Sequence, residues 1–463
     1  MRVAVVGAGV SGLALAYTLV RDGGDAVDVT VFEAGPRPGG LIRTERRDGY
    51  LCEWWPNGFL DRAPDTFALL QSLGVGDRVV ASSAHARRRF VLRDGRLRQV
   101  PTSLGTFLTG DVLSLRGRLR LALEPFVPRG QEPDESIHGF AARRFGREVA
   151  DVLVDAFTTG IFAGPSRDLS IRACFPQLWQ LEQHAGSVVR GMFRRRKPEG
   201  AASPSPFGRL VSMAGGMEEI VAALARQLGS RLRLNDPIDR IERRTGSSAW
   251  ALSRAHGDRV TADRLVVATG AAAAARLLAP VDAELASLVG GIRTAPLAVL
   301  SLGYDAAAAD AALEGFGFLV PRGESARILG AVWDSSVFPD RVPPGHTLIR
   351  VIMGGGRDPG VVSLDDRELV ARARADLRAV CGVTSDPAFV HVVRHVPGLP
   401  QYVVGHADRV AAIEARLEEH PGLTLIGNSY QGLAVNACIS TARRAAHRLA
   451  GRPSDDRPDP PRL

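Results

Sequence analysis

The chain opens on an unbroken apolar run, Val3-Ala4-Val5-Val6, which suits a strand buried on both faces. Leu13, Ala16, Tyr17 and Val20 follow at i, i+3, i+4 and i+7, one apolar face of a helix. Val27, Val29, Val31 and Phe32 then make a second strand, so the first 33 residues predict a βαβ unit. Downstream, residues 50–62 read as strand then loop, 65–80 as helix, and 89–100 as a hairpin around Asp94-Gly95. Residues 104–196 are helical by pattern, and 194–206 form a charged Pro/Ser-rich loop. A helix is expected at 216–228, strands at 231–243, 249–253 and 265–270, and a strand-rich stretch at 295–355. Helix follows at 364–380, a last strand at 423–428 and a last helix at 439–450. The Pro- and Asp-rich tail, 451–463, is expected to be disordered.

This order predicts an α/β protein with a Rossmann-like, discontinuous nucleotide-binding domain from 1–80, 207–276 and 421–450. A mixed-sheet substrate domain would use 81–104 and 277–420, and a helical lobe 105–206. With 463 residues, more than one core is expected.

The turn after the first strand is Gly7-Ala8-Gly9-Val10-Ser11-Gly12. Gly7 permits the tight turn, Gly9 lets a pyrophosphate approach the backbone, and Gly12 lets helix and strand pack closely. The pyrophosphate would sit on the free N–H groups of the helix start. Glu33 stands 21 residues beyond Gly12, where a carboxylate can accept from a ribose 2′-hydroxyl. A carboxylate there argues against a 2′-phosphate, hence against NADP, and leaves NAD and FAD open.

Net charge is +8, almost all of the positive charge being Arg, with Lys197 the one lysine. A basic surface suits nucleic acid, anionic lipid or a ligand with several carboxylates, or is simply solvated. Nucleic acid is disfavoured by 6% aromatics and the absence of a recognition motif. Cys52, Cys174, Cys381 and Cys438 are far apart, with no metal-ligand spacing, which suits a reducing, cytoplasmic setting. The fingerprint begins too early for a preceding signal peptide, and no apolar run reaches 18 residues. The 113–126 segment mixes Leu with Arg116, Arg118 and Arg120, as either a membrane-surface helix or a bundle helix with a basic outer face. Nothing in the chain decides between a monomer and a homodimer.

The fingerprint, Glu33, Arg37-Pro38-Gly39-Gly40, Ala268-Thr269-Gly270 and the strand ending at Gly427 resemble the amine-oxidase-type flavoproteins. Narrower motifs resemble the protoporphyrinogen oxidase family within them. They include Thr159-Gly160-Ile161-Phe162-Ala163-Gly164, the 315–321 stretch, Leu399-Pro400-Gln401-Tyr402 with Gly405-His406, and the 427–439 stretch. This resemblance spans most of the chain and implies FAD, not NAD. By similarity, FAD contacts fall on Gly7, Ala8, Gly9, Val10, Ser11, Gly12, Glu33, Ala34, Arg37, Gly40 and Leu41. Further matching positions are Asn57, Gly58, Phe59, Leu60, Ile238, Ala407, Leu433, Ala434 and Val435. Core packing would use the same aliphatic residues at 238 and 433–435.

The resemblance implies no catalytic side chain or metal. Chemistry is the flavin's, with molecular oxygen as acceptor and peroxide as by-product. The substrate implied is protoporphyrinogen IX, a greasy macrocycle with propionates. Arg89 matches the position that pairs with a propionate, while Phe316, Phe318, Leu319 and Leu329 would line the slot. His184 and His406 are conceivable proton acceptors, structural roles being the alternative. Two positions depart from the family: Trp55-Pro56 replaces Gly-Pro, which would narrow the pocket, and Ala437 replaces an Asp beside the cofactor. Alternatives are coproporphyrinogen III oxidation on the same fold, an amine oxidase or desaturase of secondary metabolism, and a flavin-holding scaffold without turnover. Peripheral contact with the cell membrane is a further expectation.

Overall fold

The computed structural model describes residues 1–101, 106, 110–194, 208–243, 249–255, 257–306 and 313–452. Most of the loop at 194–206 and the tail beyond Arg452 lie outside these residues. The first sheet is five-stranded and parallel. Its strands, in spatial order, are Leu232–Arg233, Asp28–Phe32, Arg2–Val6, Arg264–Val267 and Leu423–Leu425. Sequence-distant pieces meet here because the central strands, Arg2–Val6 and Arg264–Val267, carry apolar runs that only a two-sided burial satisfies.

The first helix, Val10–Gly23, is buried from Ser11 through Leu19, wider than the single apolar face read from its spacing. It lies against the Val435–Leu449 and Glu218–Leu228 helices, sharing one core with them. Small residues (Ala14, Ala16, Gly12) make that all-round packing feasible. A second core, around Trp250 and Leu265, covers the other side of the sheet and includes the Ile238–Arg243, Trp250–Arg254 and Arg259–Ala262 strands.

A seven-stranded mixed sheet runs in the order Phe389–Pro400, Thr294–Asp305, His346–Gly354, Gly330–Trp333, Gly317–Leu319, Arg89–Arg93 and Arg96–Gln99. The hairpin turn falls at Asp94-Gly95, both at positive φ (51° and 70°), as a two-residue turn of that composition demands. One face, carrying Phe318, Ala331, Val351 and Leu300, packs on the Asp366–Cys381 helix. The other face, carrying Val299, Leu329 and Val393, has Leu41, Trp54, Trp55 and Leu433 packed against it.

The helical region runs from Leu115–Ala122 to Val188–Arg194. The helix expected over 65–80 is shorter, Pro64–Ser72. Gly74, at φ 70°, turns the chain out before the Val79–Ala81 strand forms. Helices Ala271–Leu278, Ala283–Gly290 and His406–Leu417 were not apparent in the pattern. Ala-rich and mixed stretches carry a weak periodic signal.

Candidate active site

At the end of the first strand, Gly7 takes φ 106°, and a Cβ there would stand 2.8 Å from the Ala268 carbonyl. A Cβ on Gly12 would lie 2.1 Å from the Gly7 carbonyl, so helix and strand meet at backbone distance. Around Gly9 nothing lies within 4 Å of where a Cβ would be. The helix begins at Gly9 with no side-chain cap, leaving its first N–H groups to a ligand. The Val435–Leu449 helix also starts without a side-chain cap or an acidic first turn. The Ala437 departure thus leaves its positive end unopposed.

Glu33 braces this turn. Its Oε2 accepts from the Ala8 N–H at 2.8 Å and its Oε1 from the Gly35 N–H at 2.9 Å. Each oxygen keeps a lone pair for a further donor. Ala34 is exposed beside it, and Ile238 packs in the core behind Phe32. Arg37 donates to the Pro38 and Gly40 carbonyls at 3.1 and 3.2 Å and lies over the Trp54 ring at 5.0 Å. Two buried polar atoms in this region have no partner, Asn57 Nδ2 and Thr269 Oγ1, with Thr269 against the Gly7 turn. Bare helix starts, an open glycine cradle and unpartnered buried donors fit a dinucleotide. From the sequence Thr269 counts only as part of the Ala268-Thr269-Gly270 motif and not as a cofactor contact.

The second wall is the mixed sheet. Strand register aligns Arg89, Gly317, Val332, Arg350, Ser301 and His391 across one face. The next row is Val91, Leu319, Gly330, Ile352, Val299 and Val393. Leu329, Val299 and Val393 form a cluster against which Leu41, Trp54, Trp55, Ile352 and Leu433 pack. Two residues read as cofactor contacts, Leu41 and Leu433, thus pack on the same cluster as one read as substrate contact, Leu329, and Trp55 packs there too.

Arg89 sits at the far edge of the sheet row, its guanidinium 5.0 Å from the Phe316 ring. Arg89 is exposed at the surface, the surrounding protein lowers its pKa only by partial desolvation, and no ion pair forms with it among the described residues. Phe318 is the exception in the slot. Alternation turns it to the opposite face, where it is 2% exposed and near Trp333, so it belongs to the core. Leu319, one residue on, lies on the site face. Phe59 is likewise turned into the core, edge-on to Phe67, and Gly58 crosses the Val211 carbonyl too closely for any side chain. Ala407 starts the His406–Leu417 helix and is not in the cluster around Leu433.

Both histidines read as conceivable proton acceptors already hold a backbone carbonyl in this structure. His184 Nδ1 is hydrogen-bonded to the Gln180 carbonyl on an exposed helix face. His406 is buried, stacked on Tyr402 at 4.1 Å and bonded to the Tyr430 carbonyl, and burial lowers its pKa.

The model of the family described as flavin containing amine oxidoreductase matches residues 10–450. The chain belongs to this family. It is 33% identical to human protoporphyrinogen oxidase over 97% of this chain and 98% of that one. It is 28% identical to the coproporphyrinogen III oxidase of Bacillus subtilis over 96% of both. Among solved structures, a protein of Exiguobacterium sp. 255-15, provisionally described as a protoporphyrinogen oxidase, superposes with a TM-score of 0.82. That match has 28% identity and covers 97% of this chain and 98% of the other. The chain is therefore an FAD-dependent oxidoreductase, and the α/β expectation holds.

Proposed function

We propose that this enzyme oxidises a porphyrinogen, protoporphyrinogen IX in the first instance, with oxygen as terminal acceptor. The observation that carries the reading is that Leu41, Leu433 and Trp55 pack on the cluster holding Leu329, beside a sheet row that ends in Arg89, which has no ion pair among the described residues. That is an apolar slot against a dinucleotide cradle, with one cation at its rim. Segments 1–80, 207–276 and 421–450 form the FAD-binding domain in this reading, 81–104 and 277–420 the substrate domain, and 105–206 the helical lobe.

When bound, FAD supplies hydride acceptance from the bridging carbons of the macrocycle. The chain's own residues bind, orient and exclude water. The bare start of the Val10–Gly23 helix and Gly9 would receive the pyrophosphate, and Glu33 the ribose. Leu329, Ile352 and Trp55 keep water from the apolar slot. Arg89 would pair with a propionate, for which its lack of a carboxylate partner leaves it available. Arg89→Ala is expected to raise the KM for porphyrinogen roughly tenfold, from the ~1.5–3 kcal/mol of a charge-assisted pair less screening, with FAD content unchanged. Equal loss of flavin would show that Arg89 is structural.

Coproporphyrinogen III is the second reading, favoured by the full-length similarity to the Bacillus subtilis enzyme. Incubating the yellow protein with each porphyrinogen and following red porphyrin fluorescence above autoxidation separates the two. No gain with either would refute both.

Peripheral membrane contact is part of the proposal. On the Leu115–Ala122 helix and the turn after it, Leu115, Leu119 and Leu123 repeat at i, i+4 and i+8 and are 54–68% exposed. Phe126 at 76% and Phe193 at 86% extend the patch, with Arg190 5.9 Å from the Phe126 ring. Apolar residues rimmed by Arg suit an anionic lipid surface. No helix among the described residues is long and apolar enough to cross a membrane. The protein should sediment with anionic vesicles at low salt, and a Leu119→Glu/Phe193→Glu double variant should not. Equal recovery of both in the supernatant counts against the idea.

A further inference from the structure

We propose that Trp55 is a specificity-determining wall of the slot, and that the slot takes a tetrapyrrole whose carboxylates all lie on the Arg89 side. This deepens the porphyrinogen reading and rests on it. Trp55 is half-buried against the cluster that holds Leu329, Val299 and Val393, on which Leu41, Ile352 and Leu433 also pack. Its main chain is fixed by the sheet below. Arg350 Nη1 donates to the Trp55 carbonyl at 2.8 Å, and His395 Nε2–H donates to the Trp54 carbonyl at 3.0 Å. The His395 ring stands edge-on to both indoles, each at 6.2 Å. Such anchoring holds the indole in place before any ligand arrives, so its contact costs little ordering entropy.

The charges around this wall are already committed. Arg350 lies 3.0 Å from Asp334, and Arg341 3.4 Å from Glu53, all four side chains being buried. Arg43 pairs with Glu45 at 2.5 Å, and Arg37 donates to backbone carbonyls. Burial lowers the pKa of His395, which disfavours its cationic form at neutral pH. A carboxylate pressed against Trp55 would therefore have to compete for cations that, among the described residues, already hold partners, a costly arrangement. Arg89 is the opposite case. The aligned row from Arg89 through Gly317 and Val332 to Arg350 crosses three strand spacings, roughly 14 Å. That floor separates a rim that attracts carboxylates from a wall that rejects them.

The test is equilibrium binding of two oxidised rings, which do not turn over: protoporphyrin IX, with two carboxylates, and coproporphyrin III, with four. The flavin-loaded protein is titrated with each while the porphyrin absorption shift and tryptophan quenching are followed. The wild type should bind the two-carboxylate ring at least tenfold more tightly. Trp55→Ala should weaken that ring roughly tenfold while leaving the four-carboxylate ring little changed, with FAD content retained. Trp55→Phe, which keeps an apolar ring, should retain most of the selectivity, and Trp55→Gln should lose it. This second pair decides the matter if the alanine variant does not fold. A wild type that prefers the four-carboxylate ring, or variants whose selectivity is unchanged, would overturn the proposal while leaving porphyrinogen oxidation standing. A wild type that binds neither ring and oxidises neither porphyrinogen would overturn both.

Discussion

Gly12→Ala is expected to yield a nearly colourless protein. The added methyl would stand 2.1 Å from the Gly7 carbonyl oxygen and 3.2 Å from the Ala268 Cβ. Neither neighbour can yield cheaply, because Gly7 is held at φ 106° and its N–H is bonded to the Phe32 carbonyl at 2.8 Å. The helix start must lift away from the strand, and with it the N–H groups proposed to hold the pyrophosphate. Overpacking of this kind costs ~1–3 kcal/mol, so FAD affinity should fall by about fivefold to 150-fold. Absorbance near 450 nm relative to 280 nm in the purified variant measures it. Wild-type flavin occupancy would show that the turn tolerates the methyl and that the cradle is misplaced.

Arg144→Met is expected to have the largest effect on stability, and it acts in the helical lobe. Arg144 is fully buried and pairs with Glu124, also fully buried, and with Glu182 at 3.2 Å. Its remaining donors reach the Val127 carbonyl at 2.9 Å and the Gly186 carbonyl at 3.1 Å. Glu124 in turn accepts from Ser187 Oγ at 2.5 Å and from the Val188 N–H at 2.9 Å. One buried network thus ties together the 124–128 turn, the Ile137–Arg144 helix and the starts of the chain segments after Ala185. Removing the cation leaves the buried Glu124 carboxylate without its ion-pair partner, while Glu182 keeps Arg143 at 2.7 Å, and costs about 3–5 kcal/mol. Hydrogen exchange should show early opening over 124–194 while the parallel sheet stays protected. Protection unchanged in that lobe would mean the network contributes little.

The wild-type network also has a pH signature. Burial pushes the Glu124 carboxyl up, but hydrogen bonds from Ser187, Arg144 and Val188 outweigh it and hold its pKa below the ordinary 4.5. A depressed carboxylate contributes stability that is present above that value and fades as the pH falls through the folded-state pKa. The lobe should therefore loosen only under acid well below neutrality.

Much of this architecture was legible in short runs of residues. The fingerprint turn, Glu33 and the Asp94-Gly95 hairpin are local devices whose spacing carries its own geometry. The cofactor follows from them together with the family. What pattern alone misjudged were cases in which a neighbour in space decides. Phe318 and Leu319 are adjacent and both apolar, and only their register against Ala331 and Gly330 shows that one faces the core and the other the slot. The histidines 184 and 406 were eligible by chemistry, and the structure engages each with a backbone carbonyl.

By itself the sequence determined the nucleotide cradle and the α/β class, since both are written in contacts between residues close along the chain. Tertiary structure alone decided which cations are free. Arg341 and Arg350 are taken up by carboxylates brought from elsewhere, Glu53 and Asp334, while Arg89 is left at the end of a strand with an aromatic ring for company. Charge pairing acts over a few ångströms of space rather than along the chain, so no spacing of arginines could have revealed it.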